Sequence, residues 1–256
     1  MPFTFAHPAA VLPLRRLKPL QTVPLIVGSI VPDLPYYIPA RLGRTMLETH
    51  TVAGSFWLDI PLGLLTLLLC FLLRKPLGAP MSPRARALYL QAMERFREQP
   101  RHWLLAPISL LVGTWTHLLW DSFTHDNGWV VRRVAALSAP ITIGAYTSTV
   151  CHFLQYASSV AGLLILAIWY LRLPAPSAAS GPALAPAGAR IAILLLVCVA
   201  AAAIGGYIAM HAAMMGARVY RVIYLLLTRS IGWFAVLYLA AGLLLVSRKP
   251  EPVPEV

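Results

Sequence analysis

The 256-residue chain is 59% hydrophobic and only 12% charged, with a mean hydropathy of +0.71, which departs from globular averages and points to an integral membrane protein. Its 21 Lys and Arg against 9 Asp and Glu give a formal charge of +12. No basic run is interleaved with polar, solvent-facing sequence, so the excess reads as membrane topology rather than as a nucleic-acid surface. Cys70, Cys151 and Cys198 stand singly in apolar stretches, a pattern that argues against a disulfide framework or a cysteine zinc site, so a metal is expected on His and carboxylate.

The opening stretch, MPFTFAHPAAVLPLRR, lacks a charged region ahead of a long apolar core and a small-residue cleavage site, and is expected to be retained. Pro8, Pro13, Pro19 and Pro24 allow residues 8–18 and 22–33 to fold as a helical hairpin that turns the N-terminus outward. Segment 22–40 is apolar and helical, with Asp33 in VPDLPYY, where Pro32 and Pro35 stop the helix. Segments 55–73, 150–171, 190–215 and 230–247 approach or reach the roughly 20 apolar residues that span a bilayer. Segment 104–124, carrying His117 and Asp121, is also helical and, like 22–40, reads either as a functional membrane helix or as a helix of a buried core. Residues 84–99 mix Leu88, Met93 and Phe96 with Arg and Glu, the pattern of an amphipathic surface helix. Residues 173–189 are rich in Pro, Ala, Ser and Gly and read as a linker. The predicted architecture is an all-α membrane helical bundle of about six embedded segments. It divides into a helical domain over 1–172, the linker over 173–189, and a C-terminal helical hairpin with a short tail over 190–256.

Basic residues near membrane helices prefer the cytoplasmic side. With both termini inside, fourteen of the 21 fall on inner regions, predicting a multi-pass protein of the cell membrane with cytoplasmic termini or a re-entrant N-terminus. Asp33, His50, Asp59, His117, Asp121, His125, His152 and His211 then gather toward the outer ends of their segments. A charge in or beside hydrocarbon costs roughly 2.5–3.5 kcal/mol on insertion scales, so such residues normally have a partner or a function.

In TWTHLLWDSFTHD, His117, Asp121 and His125 follow at intervals of four and project from nearly one helix face. An imidazole and a carboxylate one turn apart suit a divalent ion. Taken alone, the pair reads first as a hydrogen bond closing a helix end. Likewise Asp33 alone reads as a turn or cap residue, His50 as a loop histidine beside the possible caps Thr49 and Thr51, and His7 as a residue orienting a helix start before Pro8. Together they place His, Asp, His and HxxxD at one membrane level, which independent structural roles explain poorly. Asp59, inside the helix after His50, is expected to orient a ligating histidine or to bond between helices. His102 is expected at the interface, and His211 packed or solvated.

MPFTFAHPAAVLPLRR, GSIVPDLPYY, THTVAGSFWLDIPLG, GTWTHLLWDSFTH and FLQYASSVAGLL resemble a family of bacterial membrane proteins, domain of unknown function 4184, over about residues 1–171. The order His, Asp, His, HxxxD is also similar to membrane-bound metal-dependent hydrolases and, more distantly, to the all-helical zinc-dependent phospholipase C. That resemblance implies a phospholipase C-like helical metal-site core with His7, Asp33, His50, His117 and Asp121 as ligands of one or two ions, zinc by kind, with Asp121 bridging. His125 matches a ligand of a further ion, but His152 is followed by Gln155 where the phospholipase pattern has an acid, and the phospholipase's processed N-terminal ligand has no counterpart.

The expected function is that of a membrane-bound hydrolase acting on a phosphoester or phospholipid-like substrate through a metal-activated water, with Asp33 doubling as the base. Arg132 and Arg133, just past the metal helix, suit an anionic substrate, as part of an outward set with Arg41, Arg44, Arg218, Arg221 and Arg229. Each of these arginines alone equally suits lipid headgroups. Trp57, Trp115, Trp120 and Trp129 read mostly as interface anchors. The alternative is a non-catalytic multi-pass protein whose metal or polar cluster fastens its helices, with a role in transport or envelope organisation. Membrane lipids are the expected partners, and the oligomeric state is open.

Overall fold

The computed structural model describes residues 4–38, 48–144, 146–174 and 185–247. Arg41, Arg44 and residues 175–184 of the linker lie outside the described residues. The principal helices are α1 (Thr22–Gly28), α2 (Val52–Leu72), α3 (Pro83–Glu98), α4 (Arg101–Thr124), α5 (Val150–Arg172), α6 (Ala187–Met214) and α7 (Val219–Ser247). Five of them among the described residues, α2, α4, α5, α6 and α7, are long and apolar enough to cross a membrane.

Segment 22–40 is not a sixth. Helix α1 ends at Gly28, and the chain continues as a 3-10 turn, Val31–Asp33, and a single turn, Leu34–Tyr37. Pro32 and Pro35 lack the N–H groups a continuous helix needs, so the break follows from the two residues that flank Asp33. Helix α7 begins at Val219, eleven residues ahead of the expected start at 230. Arg221, Arg229 and Ser230 lower the local hydropathy without lowering helix propensity. The bundle also carries an antiparallel hairpin, Pro140–Ile143 with Tyr146–Thr149. Its PITI and YTST runs are rich in β-branched residues, but each is four residues long, too short for a clear period. The amphipathic stretch is helix α3, started by Pro83 and capped by Ser82, whose hydroxyl accepts from the Ala85 N–H at 3.3 Å.

The chain forms two compact units that interleave along the sequence: Met1–Pro35, Leu42–Leu67 and Pro100–Pro174 make the first, and Tyr36–Arg41, Leu68–Gln99 and Ala175–Val256 the second. In the second, α6 and α7 form a hairpin whose turn holds Gly216 at φ 81°, a left-handed conformation that side chains resist. Tyr238 donates to the Leu77 carbonyl at 2.9 Å and Arg190 to that of Met81 at 3.4 Å.

In the first unit, Leu67, Ala106 and Leu110 are the buried core, with Val23, Val27, Leu64 and Trp103 against it. Short α1 lies along α4 at backbone contact. A Cβ on Gly28 would stand 2.2 Å from the Leu110 carbonyl oxygen, and one on Gly113 2.3 Å from that of Leu25. Only glycine permits that approach. Helix α1 is tied at both ends: the Gln21 N–H donates to Ser109 Oγ at 3.0 Å, the Gln21 amide to the His102 carbonyl at 3.0 Å, and Thr114 Oγ1 to the Gly28 carbonyl at 3.2 Å. The N-terminal segment, with helical turns at Pro8–Val11 and Leu14–Arg16, packs on α1, α4 and α5 and carries His7 into this unit.

Candidate metal centre

The buried face of α4 repeats every three to four residues through Ala106, Ser109, Leu110, Gly113, Thr114 and His117. Asp121 continues the row one turn on. His117 is fully buried, and its Nδ1 lies 2.9 Å from the Ser29 carbonyl oxygen, the residue just past the end of α1. A carbonyl only accepts, so Nδ1 carries a proton and Nε2 is the nitrogen turned toward the carboxylates. His50 reaches the same state by another route. Thr51 takes the capping role, accepting from the Gly54 N–H at 2.9 Å, and Thr49 is engaged elsewhere. Thr49 Oγ1 donates to the Pro32 carbonyl at 3.0 Å and therefore accepts from His50 Nδ1 at 3.1 Å, which turns His50 Nε2 toward the carboxylates.

The two Nε2 atoms meet two carboxylates. His50 Nε2 lies 3.3 Å from Asp33 Oδ1 and 3.8 Å from Asp121 Oδ2, and His117 Nε2 lies 3.7 Å and 3.3 Å from the same two oxygens. Donors set about 2.1 Å from a common centre at tetrahedral angles are about 3.4 Å apart. The four distances scatter around that value. Asp33 Oδ1 and His117 Nε2 are buried without a hydrogen-bond partner among the described residues, an arrangement that is costly unless something else satisfies them. The chemistry and spacing of these donors fit a divalent ion.

His7 stands beside this set. Its ring stacks on His117 with centroids 3.9 Å apart, and its Nε2 is 3.6 Å from Asp121 Oδ1, the carboxylate oxygen turned away from the four-donor centre. Burial, reinforced by the neighbouring His117 ring, lowers the His7 pKa to about 3, so the imidazole is neutral and able to ligate near neutral pH. Burial alone would raise the Asp33 pKa, but the His117 and His50 rings outweigh it and hold the carboxyl below the usual range. The structure thus brings together all five residues of the His, Asp, His, HxxxD series, and Asp121 turns one oxygen to each side.

His125 stands apart from them. Thr124 Oγ1 donates to the Trp120 carbonyl, so it accepts from His125 Nδ1 at 3.2 Å, and His125 Nε2 meets the Gln155 amide nitrogen at 2.9 Å. With both ring nitrogens engaged, His125 positions Asp121 Oδ1, 3.4 Å from its Nδ1, instead of offering a lone pair to an ion. Asp59 does not orient either histidine. It sits in a π-helical turn of α2, Ser55–Asp59, 1% exposed, with neither carboxylate oxygen hydrogen-bonded among the described residues. The Ser29 carbonyl and Thr49 hold the rings in its place. Arg132 and Arg133 lie exposed on the turn after α4. Arg133 is committed to Trp129, lying 4.0 Å over its ring and donating to its carbonyl at 3.0 Å. Trp120 is not an interface anchor alone, since it packs on His7 at 5.3 Å and donates to Ser158 Oγ. His211 is exposed in the second unit.

Thr4 was not singled out by the sequence. Its hydroxyl donates to Asp33 Oδ2 at 2.5 Å, is almost fully buried, and leaves Asp33 Oδ1 for the centre. A hydroxyl 29 residues from its carboxylate leaves no local pattern to read.

Residues 1–247 match a family described as a domain of unknown function, DUF4184. The chain belongs to this family. The match runs through the C-terminal helical hairpin, well past the stretch of about residues 1–171 that carries the resemblance in the sequence. No curated protein and no solved structure matches the chain.

Proposed function

We propose that this DUF4184 protein is a membrane-bound metal-dependent hydrolase acting on a phosphoester, with Asp33, His50, His117 and Asp121 holding a zinc-class ion and His7 beside it. The observation that supports this reading is the approach of the His50 and His117 Nε2 atoms to one oxygen each of Asp33 and Asp121 at 3.3–3.8 Å, near the separations of donors around a divalent ion. Such an ion, when bound, supplies Lewis-acid polarisation of a phosphoryl oxygen and acidifies water. The chain's own groups do the remainder. Thr4 holds one oxygen of Asp33 so that the other faces the centre, while Asp121 Oδ1 with His7 Nε2 forms a polar wall on the adjoining side.

Seven basic residues, Arg74, Lys75, Arg84, Arg86, Arg95, Arg97 and Arg101, lie between α2 and the first turn of α4, which supports an inner position for that stretch and an outer one for the centre at the opposite ends of these helices. Arg132, exposed beyond α4, then stands at headgroup level for an anionic phospholipid-like substrate. A second reading, an ion that only fastens the helices, is favoured by one feature: four protein side chains gather at the centre, the number that structural zinc takes. Purified protein in liposomes separates the two. The hydrolase releases a soluble phosphorylated headgroup while metal is present, and His117→Ala does not. Equal release by wild type and variant over a panel of phospholipids and soluble phosphoesters overturns the hydrolase reading.

A further inference from the structure

A second cluster lies outside the centre, where α4 gives way to the crossover that carries the β-hairpin. Asp126 stands at the start of this crossover, and Cys151 and His152 stand at its end, in the first turn of α5. Asp126 Oδ1 is 3.3 Å from Cys151 Sγ, and Asp126 Oδ2 is 3.2 Å from His152 Nε2. The thiol, the imidazole and the carboxylate each turn one ligand atom to a common point, all within 4.8 Å of one another. His152 Nδ1 lies 3.0 Å from Ser148 Oγ. Cys151 is buried, His152 half-buried and Asp126 exposed, so the cluster is open to water on the Asp126 side.

The grouping resembles a nucleophilic triad in composition but not in geometry. A triad histidine must bridge thiol and carboxylate, whereas here Asp126 is the bridge and both nitrogens of His152 are already turned to Ser148 and Asp126. A cation is the occupant that uses all three groups at once. A sulfur, an imidazole nitrogen and a carboxylate oxygen together select a borderline-soft divalent ion over magnesium or calcium.

We propose that Asp126, Cys151 and His152 form a second metal site, separate from the Asp33/His117 centre, that takes a zinc-class ion and clasps the two ends of the 126–151 crossover. The set differs from the one the phospholipase resemblance implies, which requires His125. It also departs from the sequence expectation that no cysteine takes part in a metal site. Binding replaces the Cys151 thiol proton, now directed at Asp126, with the metal–sulfur bond and releases that proton to solvent. Three protein ligands leave a fourth position for water. Closing a loop of this length at its base restricts the unfolded and partly opened chain, so the ion steadies the turn that displays Trp129, Arg132 and Arg133.

Cobalt distinguishes this site from the centre, because only this site contains sulfur. Co²⁺ titrated into the full-length Asp121→Ala protein in detergent is expected to give a thiolate-to-cobalt charge-transfer band in the near ultraviolet, saturating at one equivalent. The band persists in Cys70→Ser and Cys198→Ser and is lost in Cys151→Ser. In the wild-type chain, Zn²⁺ is expected to slow alkylation of Cys151 at least about tenfold, and Asp126→Asn, an exposed and nearly isosteric change, to remove most of that protection. This second arm holds even where Cys151→Ser fails to fold. No sulfur band in the Asp121→Ala protein, or alkylation of Cys151 unaffected by Zn²⁺, overturns the proposal. Neither result bears on the hydrolase reading, which rests on other residues.

Discussion

Helices α4 and α7 are both long enough to cross a bilayer, yet 33% of the most apolar window of α4 is buried inside the protein against 11% of that of α7. Both approach other backbone closely through glycine: Gly113 on α4 meets the Leu25 carbonyl, and Gly232 on α7 that of Tyr37. They differ in where their polar groups go. Ser109, Thr114 and His117 of α4 are short side chains bonded to the backbone of another segment, so each fixes α4 against α1 with almost no slack. On α7 the buried Thr228 hydroxyl turns back to the carbonyl of Tyr224, one turn earlier in its own helix, and the bonds that reach other segments come from the long side chains of Tyr238 and Arg229. A helix held by short ties can position ligands. One held by apolar packing and long arms keeps most of its apolar surface turned outward.

The largest expected break in this contrast is at the centre itself. Asp121→Ala, and equally His117→Ala, is expected to lower metal affinity by more than about 100-fold, since outer partners of ligands alone account for 10–100-fold. Metal analysis of the purified variants checks this, and unchanged stoichiometry in either refutes the centre. Thr4→Val keeps the volume but removes the hydroxyl from Asp33 Oδ2, and is expected to weaken metal binding roughly 10- to 100-fold without altering the helical circular-dichroism signal. Gly113→Val forces α1 and α4 apart and is expected to cost about 1–3 kcal/mol of stability, with metal loss following because the Ser29 carbonyl moves off His117. Ser109→Ala strands the Gln21 N–H and is expected to cost about 0.6–1.7 kcal/mol, the range of interhelical hydrogen bonds in membrane proteins. Thr228→Val on α7 is the control: it loses only a bond within its own helix and is expected to shift thermal stability by no more than a few tenths of a kcal/mol. An equal effect from Ser109→Ala and Thr228→Val erases the distinction between the helices.

What could be read from the sequence divides by range. Long apolar runs announce themselves, and α2, α5 and α6 lie close to the expected bounds because length and hydropathy are properties of a contiguous stretch. The HxxxD spacing is likewise local, and it led to His117 and Asp121 at once. The break in segment 22–40 was written in Pro32 and Pro35, but the apolar character around them argued for a span, and the prolines won because a missing N–H cannot be offset by hydropathy. The partners that decide roles were out of reach. Thr4 against Asp33, Gln155 against His125, Asp126 against His152, and the Ser29 carbonyl against His117 are all pairings across 26 to 88 residues. Asp59 was therefore given its role by proximity in the chain, whereas the His117 ring is held by the Ser29 carbonyl, 88 residues away.

The Ser29 carbonyl also bears on what the family can vary. The acceptor that fixes the proton on His117 belongs to the main chain, so no single codon specifies it. The Ser29 hydroxyl is occupied with the Ile26 carbonyl at 2.8 Å and takes no part. Another small residue at position 29 would leave that carbonyl, and with it the proton on His117 Nδ1, in place. What heredity must preserve is the place where the helix stops, a property shared among Gly28, Pro32 and Pro35, and a tally of invariant side chains around the centre would overlook one of the groups that shapes it most.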